Sequence, residues 1–340
     1  MKLLSFTEKG IYCPTGDFYI DPWQPVNQAV ITHAHSDHAR PGSSLYISHP
    51  LTKYLLQLRL GNNNYQTMEW GEVIHKNGVK ISLHPAGHII GSSQVRVEYN
   101  GEVWVVSGDY KTENDGISGE LEIVKCDVFI SESTFGLPIY RWKKQKEIQF
   151  NMQNWVLKNM EAGRNSVLIA YSLGKTQRIL PFLNPVSSDI YVHGAIWNTQ
   201  EALRMAGVQL PAVKRVTSDF QRGTIKSGVI IAPPGAEASS WVNRFEPYSL
   251  GICSGWMQVR GNVRRRNADA GFALSDHADW NGLLDVVKST GAAKVFVTHG
   301  FQSSFSRYLN EIGIEAAEVK TAFGDELEEQ SESQLGSEVN

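Results

Sequence analysis

The segment His33-Ala34-His35-Ser36-Asp37-His38 packs three imidazoles and one carboxylate into six residues. Neutral imidazole nitrogens and carboxylate oxygens are donors for zinc, manganese or iron, and without cysteine the choice among them stays open. The segment directly follows a strand-like run, Val30-Ile31-Thr32. In an extended chain, residues two apart point to one side, so His33 and His35 can share one metal. If the chain then turns, Asp37 and His38 can face a second. Other candidates also end strand-like runs: His88 in Pro85-Ala86-Gly87-His88, Asp109 in Ser107-Gly108-Asp109-Tyr110, and His299 in Val297-Thr298-His299-Gly300. Loops at the ends of a rigid sheet are where ligating residues gather. His84 follows a strand residue and is read as structural. His49, His75 and His193 have no supporting context.

Two kinds of patterning must position these groups. Up to residue 130 the chain reads as short strands broken by turns: 30–32, 45–48, 79–83, 94–99, 103–106 and 128–130. Tyr99-Asn100-Gly101-Glu102 carries the Asn-Gly hairpin signature. Beyond residue 130 the pattern changes. An apolar stripe of Ile148, Met152, Trp155, Val156 and Met160 predicts a helix over 144–162, stopped by Gly163. Strand-like 167–170, 190–192 and 229–232 then alternate with helical stretches, an α/β signature. Helices at 281–290 and 302–312 flank a strand at 295–297, and the Ser-rich, acidic 325–340 is expected to be disordered.

The string HxHxDH, followed by His88, Asp109 and His299, resembles the metallo-β-lactamase fold. Later strings resemble its nucleic-acid branch, the β-CASP nucleases. Ser131-Glu132-Ser133-Thr134-Phe135-Gly136 is similar to the first extra motif of that branch. Ser275-Asp276-His277-Ala278-Asp279 is similar to the second, where alanine is more usual at position 276. Gly255-Trp256 through Arg264-Arg265-Arg266 resembles the Arg-containing segment before it. The resemblance covers about residues 10–324. Within the branch, Gly16-Asp17-Phe18-Tyr19-Ile20-Asp21-Pro22-Trp23 and Ser275–Trp280 look most like the bacterial ligase-associated DNA exonucleases. One departure stands out: at His299 the eukaryotic DNA-processing members usually carry valine and the RNA-processing members histidine.

The resemblance implies an αββα catalytic domain from residues 1–135 and 270–324, interrupted by a β-CASP cap at 136–269. It implies that His33, His35 and His88 hold one divalent ion and Asp37, His38 and His299 a second, zinc or manganese, with Asp109 bridging. Asp37 and Asp109 would thereby serve catalysis directly. Asp21 and Glu132 would orient the ligands, and His277 would be free to protonate the leaving oxygen, histidine being the usual acid at neutral pH. Two ions about 3.5–4 Å apart suit in-line displacement at phosphorus.

Charge is consistent with a polyanionic partner. Residues 133–275 carry 18 Lys and Arg against 8 Asp and Glu, inside a chain of net charge -3. Lys175 and Arg178 at a helix start, Arg264, Arg265 and Arg266, and Trp256 are the candidate nucleic-acid contacts. Gly174-Lys175-Thr176 is no P-loop, because position 169 is Ile rather than Gly. The three cysteines, Cys13, Cys126 and Cys253, form no CxxC, which suits a reducing cytoplasm. The opening residues are too polar for an expected signal peptide, and the sequence contains no apolar run of membrane-spanning length.

These readings point to a metal-dependent DNA exonuclease or end-processing nuclease in repair, acting on single-stranded DNA or DNA ends. The resemblance adds a DNA ligase and a helicase as expected partners. A ribonuclease, supported by His299, is the alternative. A glyoxalase-type hydrolase would leave the basic insert unexplained, and a catalytically dead nucleic-acid-binding subunit would have no need of the full ligand set.

Overall fold

A computed structural model describes residues 2–187, 189–237 and 239–319, and of Arg260 the backbone alone. The expected acidic tail, 325–340, lies outside the described residues. The described chain divides into two compact units, residues 2–141 with 276–319, and residues 142–275.

The first unit opens with β1 (Ser5–Thr7), β2 (Gly10–Cys13), β3 (Phe18–Ile20), β4 (Gln28–Val30), β5 (Leu45–Ser48), α1 (Pro50–Leu60) and β6 (Tyr65–Thr67). These six strands pair in chain order into one sheet. Next come β7 (Val73–Lys76), β8 (Val79–Pro85), β9 (Ser93–Tyr99), β10 (Glu102–Val106) and β11 (Val128–Glu132). The hairpin between β9 and β10 turns at Asn100 and Gly101, both at positive φ, as the Asn-Gly signature requires. No element is predicted for residues 50–60, where α1 forms. Pro50 sits in its first turn, and the His49 Nδ1 accepts a hydrogen bond from the Leu51 N–H.

The second unit runs α2 (Gln145–Glu161), β12 (Asn165–Ile169), α3 (Lys175–Leu183), β13 (Ile190–Val192), α4 (Gly194–Met205), β14 (Lys214–Arg215), β15 (Val229–Ala232), β16 (Tyr248–Cys253), α5 (Arg260–Arg265) and β17 (Ala270–Phe272). Its strands form one parallel sheet in the order β14-β13-β15-β12-β16-β17. One face packs on Ile148, Met152 and Val156 of α2 and Ile179 and Leu183 of α3. The other packs on Val242, Phe245 and Met257. Buried on both faces, β15 reads as an unbroken apolar run, and so does β12 from Val167 to Ile169.

The chain returns to the first unit through α6 (Trp280–Thr290), β18 (Lys294–Thr298), α7 (Gln302–Glu311) and β19 (Glu315–Glu318). β18 adds parallel to β11, so the excursion through the second unit leaves from one strand and comes back on its neighbour. The second sheet is β19-β18-β11-β10-β9-β8-β7. Its inner face shares one core with the first sheet, through Phe18, Val30 and Ile47 against Ile81, Val95, Trp104 and Ile130. Its outer face is covered by Leu283, Val287, Phe305 and Leu309 of α6 and α7. The result is an αββα sandwich.

The expected domain boundaries fall six residues before the observed ones at both ends. Tyr140 stays with the first unit because its ring packs near Phe135 and Phe301 and its carbonyl accepts from the Trp280 N–H. β17 belongs to the second unit because it extends that unit's sheet beside β16.

Candidate metal centre

The ligand-type side chains all lie in the first unit, where strand ends from both sheets meet. After β4, the Ile31 N–H still bonds the Ile47 carbonyl, and the chain then bends at Thr32, Ala34 and His35. The chain then turns, with the N–H groups of His38 and Ala39 both bonding the His35 carbonyl. That turn separates the donors. His33, His35, His88 and Asp109 bring one donor atom each within 4.8 Å of one another, and Asp37, His38 and His299 do the same. His88 follows β8, Asp109 follows β10 and His299 follows β18.

The donors converge on Asp109. Its carboxylate lies 3.4 Å from His33 Nε2, 3.4 Å from His38 Nε2 and 3.7 Å from His88 Nε2. His33 Nε2, His38 Nε2 and Asp109 Oδ1 are nevertheless buried without a hydrogen-bond partner among the described residues. Buried polar atoms of native proteins are normally satisfied. Orphaned imidazole nitrogens facing an orphaned carboxylate oxygen therefore fit cations bound among them, and the N/O donor set fits zinc or manganese.

The backs of the imidazoles are held too. The Asp21 carboxylate accepts from the Thr32 N–H (2.8 Å) and hydroxyl (2.5 Å) and contacts His38 Nδ1 at 2.7 Å. The Thr32 hydroxyl lies 3.0 Å from His33 Nδ1. His88 Nδ1 bonds the Asp276 carbonyl at 2.9 Å. With their Nδ1 atoms engaged, His38 and His88 present Nε2 toward Asp109. Sequence reasoning missed Thr32, the Asp276 carbonyl and Arg59, whose guanidinium donates to the Ala34 carbonyl at 2.6 Å. Nothing local marks a backbone carbonyl or a helix arginine as a support for this loop.

Glu132 is fully buried at the end of β11. It accepts from the Tyr110 N–H at 2.7 Å and from His277 Nδ1 at 3.0 and 3.1 Å. His277 Nε2 lies 3.8 Å from Asp276 Oδ1. Gly300 is required here. Its φ is +65°, and a Cβ would lie 2.3 Å from the Thr134 Cα.

Burial and neighbouring charge divide the titrations. Burial, reinforced by the His33 charge, pushes His35 down to about 3. Burial lowers His88 and His299 as well. His38 goes the other way: burial opposes its charge, but Asp109, Asp37 and Asp21 overcome that and raise it well above the usual range. Asp37 and Asp109 sit below the ordinary carboxylate range, because the His38 charge outweighs their burial.

The candidate nucleic-acid contacts belong to the second unit. Lys175 and Arg178 are buried in the first turn of α3, whereas Arg264 and Arg265 are exposed on α5. Arg266 pairs with Glu237, and Trp256 is half-buried against that unit's core. Of the remaining histidines, His49 stacks on Trp70, His193 caps α4, and His84 bridges Ser82 and Glu122.

The αββα sandwich, with candidate donor side chains at its strand ends, defines a metallo-β-lactamase fold. A solved protein of unknown function from Enterococcus faecalis V583 shares the fold, with a TM-score of 0.59 and 11% identity over 86% of this chain and 79% of that one. No family model matches the chain. A probable DNA ligase of Opitutus terrae is 28% identical over 311 residues, 90% of this chain and 30% of that protein. The RNase aCSPSF2 of Saccharolobus solfataricus is 27% identical over 303 residues, 76% of this chain and 61% of that protein. The chain thus spans less than two thirds of either relative. Over most of its length it is similar to β-CASP proteins of the metallo-β-lactamase fold. Among the described residues, no helix is long and apolar enough to cross a membrane.

Proposed function

We propose that the chain is a metal-dependent nuclease acting on DNA strands or DNA ends, most like the ligase-associated exonucleases. The observation that carries the reading is the convergence of His33, His35, Asp37, His38, His88, Asp109 and His299 into two adjoining donor groups around orphaned buried atoms. His33, His35 and His88 would hold one divalent ion and Asp37, His38 and His299 the other, with Asp109 reaching both. Such ions supply charge stabilisation at a phosphodiester and lower the pKa of water. The rest is the work of this chain's residues. Asp21 and Thr32 hold His38 and His33 in orientation. Glu132 accepts a hydrogen bond from His277 Nδ1–H and keeps that proton in place, so that the doubly protonated imidazole gives up only the one on Nε2. His277 Nε2 then delivers a proton to the departing oxygen, and the exposed Arg264 and Arg265 meet backbone phosphates.

DNA is favoured because nine-tenths of the chain aligns with a protein named as a DNA ligase. That alignment also supports a DNA ligase as functional partner; a helicase in the same pathway rests on the sequence resemblance alone. A ribonuclease is the second reading, supported by His299 and by the likeness to an archaeal RNase.

The test is one gel. End-labelled single-stranded DNA and matching RNA are incubated with the chain and Mn²⁺ or Zn²⁺, alongside Asp109→Asn. Cleavage of DNA over RNA, lost in the variant, is expected. Cleavage of RNA alone would replace the first reading by the second. Cleavage of neither, in a chain that holds its metals, would overturn both.

A further inference from the structure

The sheet of the second unit has a switch point that none of the proposed roles uses. From β12 the chain continues through α3, which packs on one face of the sheet. From the adjacent β16 it continues through the turn at 255–258 toward α5, and Met257, Trp256 and Val263 of that connection pack on the opposite face. Two neighbouring parallel strands whose connections diverge leave a crevice at their carboxyl ends. In open α/β sheets that crevice is where ligands bind.

A cavity of about 160 Å³ lies there. Ile169 at the end of β12 and Ile252 and Cys253 at the end of β16 line it together with Tyr171, Pro234 and Ser254, and Arg266 lines it as well. It is well below the roughly 300–1,000 Å³ of a drug- or cofactor-sized pocket. It has room for one flat ring system and too little for a dinucleotide. Its chemistry also selects. Arg266, the cation in its lining, is already paired with the Glu237 carboxylate, so the site does not offer an uncompensated positive charge to a phosphate. The rest is apolar strand end, Pro234, the aromatic ring of Tyr171 and the Ser254 hydroxyl. That hydroxyl accepts from the Trp256 N–H and keeps its own hydrogen to donate. Lys175 Nζ sits 4.3 Å from the Tyr171 ring centroid and helps fix the ring in place. A neutral planar heterocycle with edge donors and acceptors matches this lining.

We propose that this cavity receives a single unpaired nucleobase of the bound strand, flanked by Tyr171 and met at its edge by Ser254 and Arg266. The proposal rests on the nuclease reading and deepens it. A base can enter such a pocket only from a single strand or after leaving the helical stack, so the substrate class is single-stranded nucleic acid.

The test uses the full chain stripped of metal with EDTA, so that binding is read without cleavage. A fluorescently labelled single-stranded DNA decamer and the matching RNA are titrated by anisotropy. The strand that binds more tightly is then made abasic at one position at a time. With the unaltered chain, one position should lose about 5- to 150-fold in affinity, the effect of removing one base–aromatic stack, while its neighbours change little. Tyr171→Leu should lose affinity to a similar extent and no longer respond to the abasic site at that position, because two changes that remove one contact are not additive. A flat scan would overturn the pocket, and so would a penalty at that position that persists undiminished in Tyr171→Leu. Equal affinity for the corresponding blunt duplex would overturn it too. Failure to bind any strand would overturn the nuclease reading itself, whereas tight binding with a flat scan removes only the pocket.

Discussion

Replacing Asp21 by Asn tests whether the metal loop is organised from behind. The carboxylate takes three contacts at once: the Thr32 N–H at 2.8 Å, the Thr32 hydroxyl at 2.5 Å and His38 Nδ1 at 2.7 Å. An amide has one oxygen and one NH₂. With its oxygen kept on the Thr32 N–H, its NH₂ faces His38 and demands the Nδ1 lone pair. The imidazole proton then moves to Nε2, the atom 3.4 Å from both Asp37 and Asp109. A protonated Nε2 cannot ligate. Residues that orient metal-bound histidines typically govern about 10- to 100-fold in metal affinity. At about 1.4 kcal/mol per tenfold, that is roughly 1.4–2.8 kcal/mol. Backbone strain does not enter, since Asp21 sits at φ +43° and asparagine tolerates that region as well as aspartate does. The assay is competition between metal-stripped protein and a chromophoric chelator for Mn²⁺ or Zn²⁺, with circular dichroism to show that the fold is kept. The weaker of two binding steps should shift by the stated factor. Two unchanged affinities in a folded variant would refute the orienting role of Asp21.

Other outcomes follow from the same geometry. His277→Ala should lower kcat by about 10²–10⁴-fold, the usual contribution of a general acid, while bound metal and DNA affinity stay the same; loss of a metal instead would make His277 a ligand. Arg264→Glu with Arg265→Glu should reduce the slope of log affinity against log salt by about 2, close to one unit per phosphate contact, and an unchanged slope would place binding elsewhere. In the metal-free protein, His35, His88 and His299 titrate lower folded than unfolded, so their stabilisation is present above about pH 6.5 and fades as pH falls through each folded value, about 3 for His35. The raised His38 acts oppositely, its contribution fading as pH rises through its folded value. Thermal unfolding of the EDTA-treated chain should therefore show Tm falling on acidification from pH 7 to 4; a flat or rising Tm would contradict these shifts.

Much of this site is legible locally. Four donor side chains fall within six residues, and the turn at 36–38 divides them between two donor groups; both depend on backbone geometry within that segment. The strand-like runs before His88, Asp109 and His299 are legible for the same reason, since β-branched and apolar alternation is a property of neighbouring residues. What joins them is not local. His88 Nδ1 finds its acceptor 188 residues along the chain, and Glu132 meets His277 across 145. Those contacts exist because β18 pairs in register beside β11, a choice that no spacing encodes. The same holds for charge. Composition alone makes residues 133–275 basic, but only packing exposes Arg264 and Arg265, ties Arg266 to Glu237 and buries Arg178. The crevice between β12 and β16 is likewise a product of strand order, because a sheet's switch point is fixed by which strands become neighbours and not by what any one of them contains.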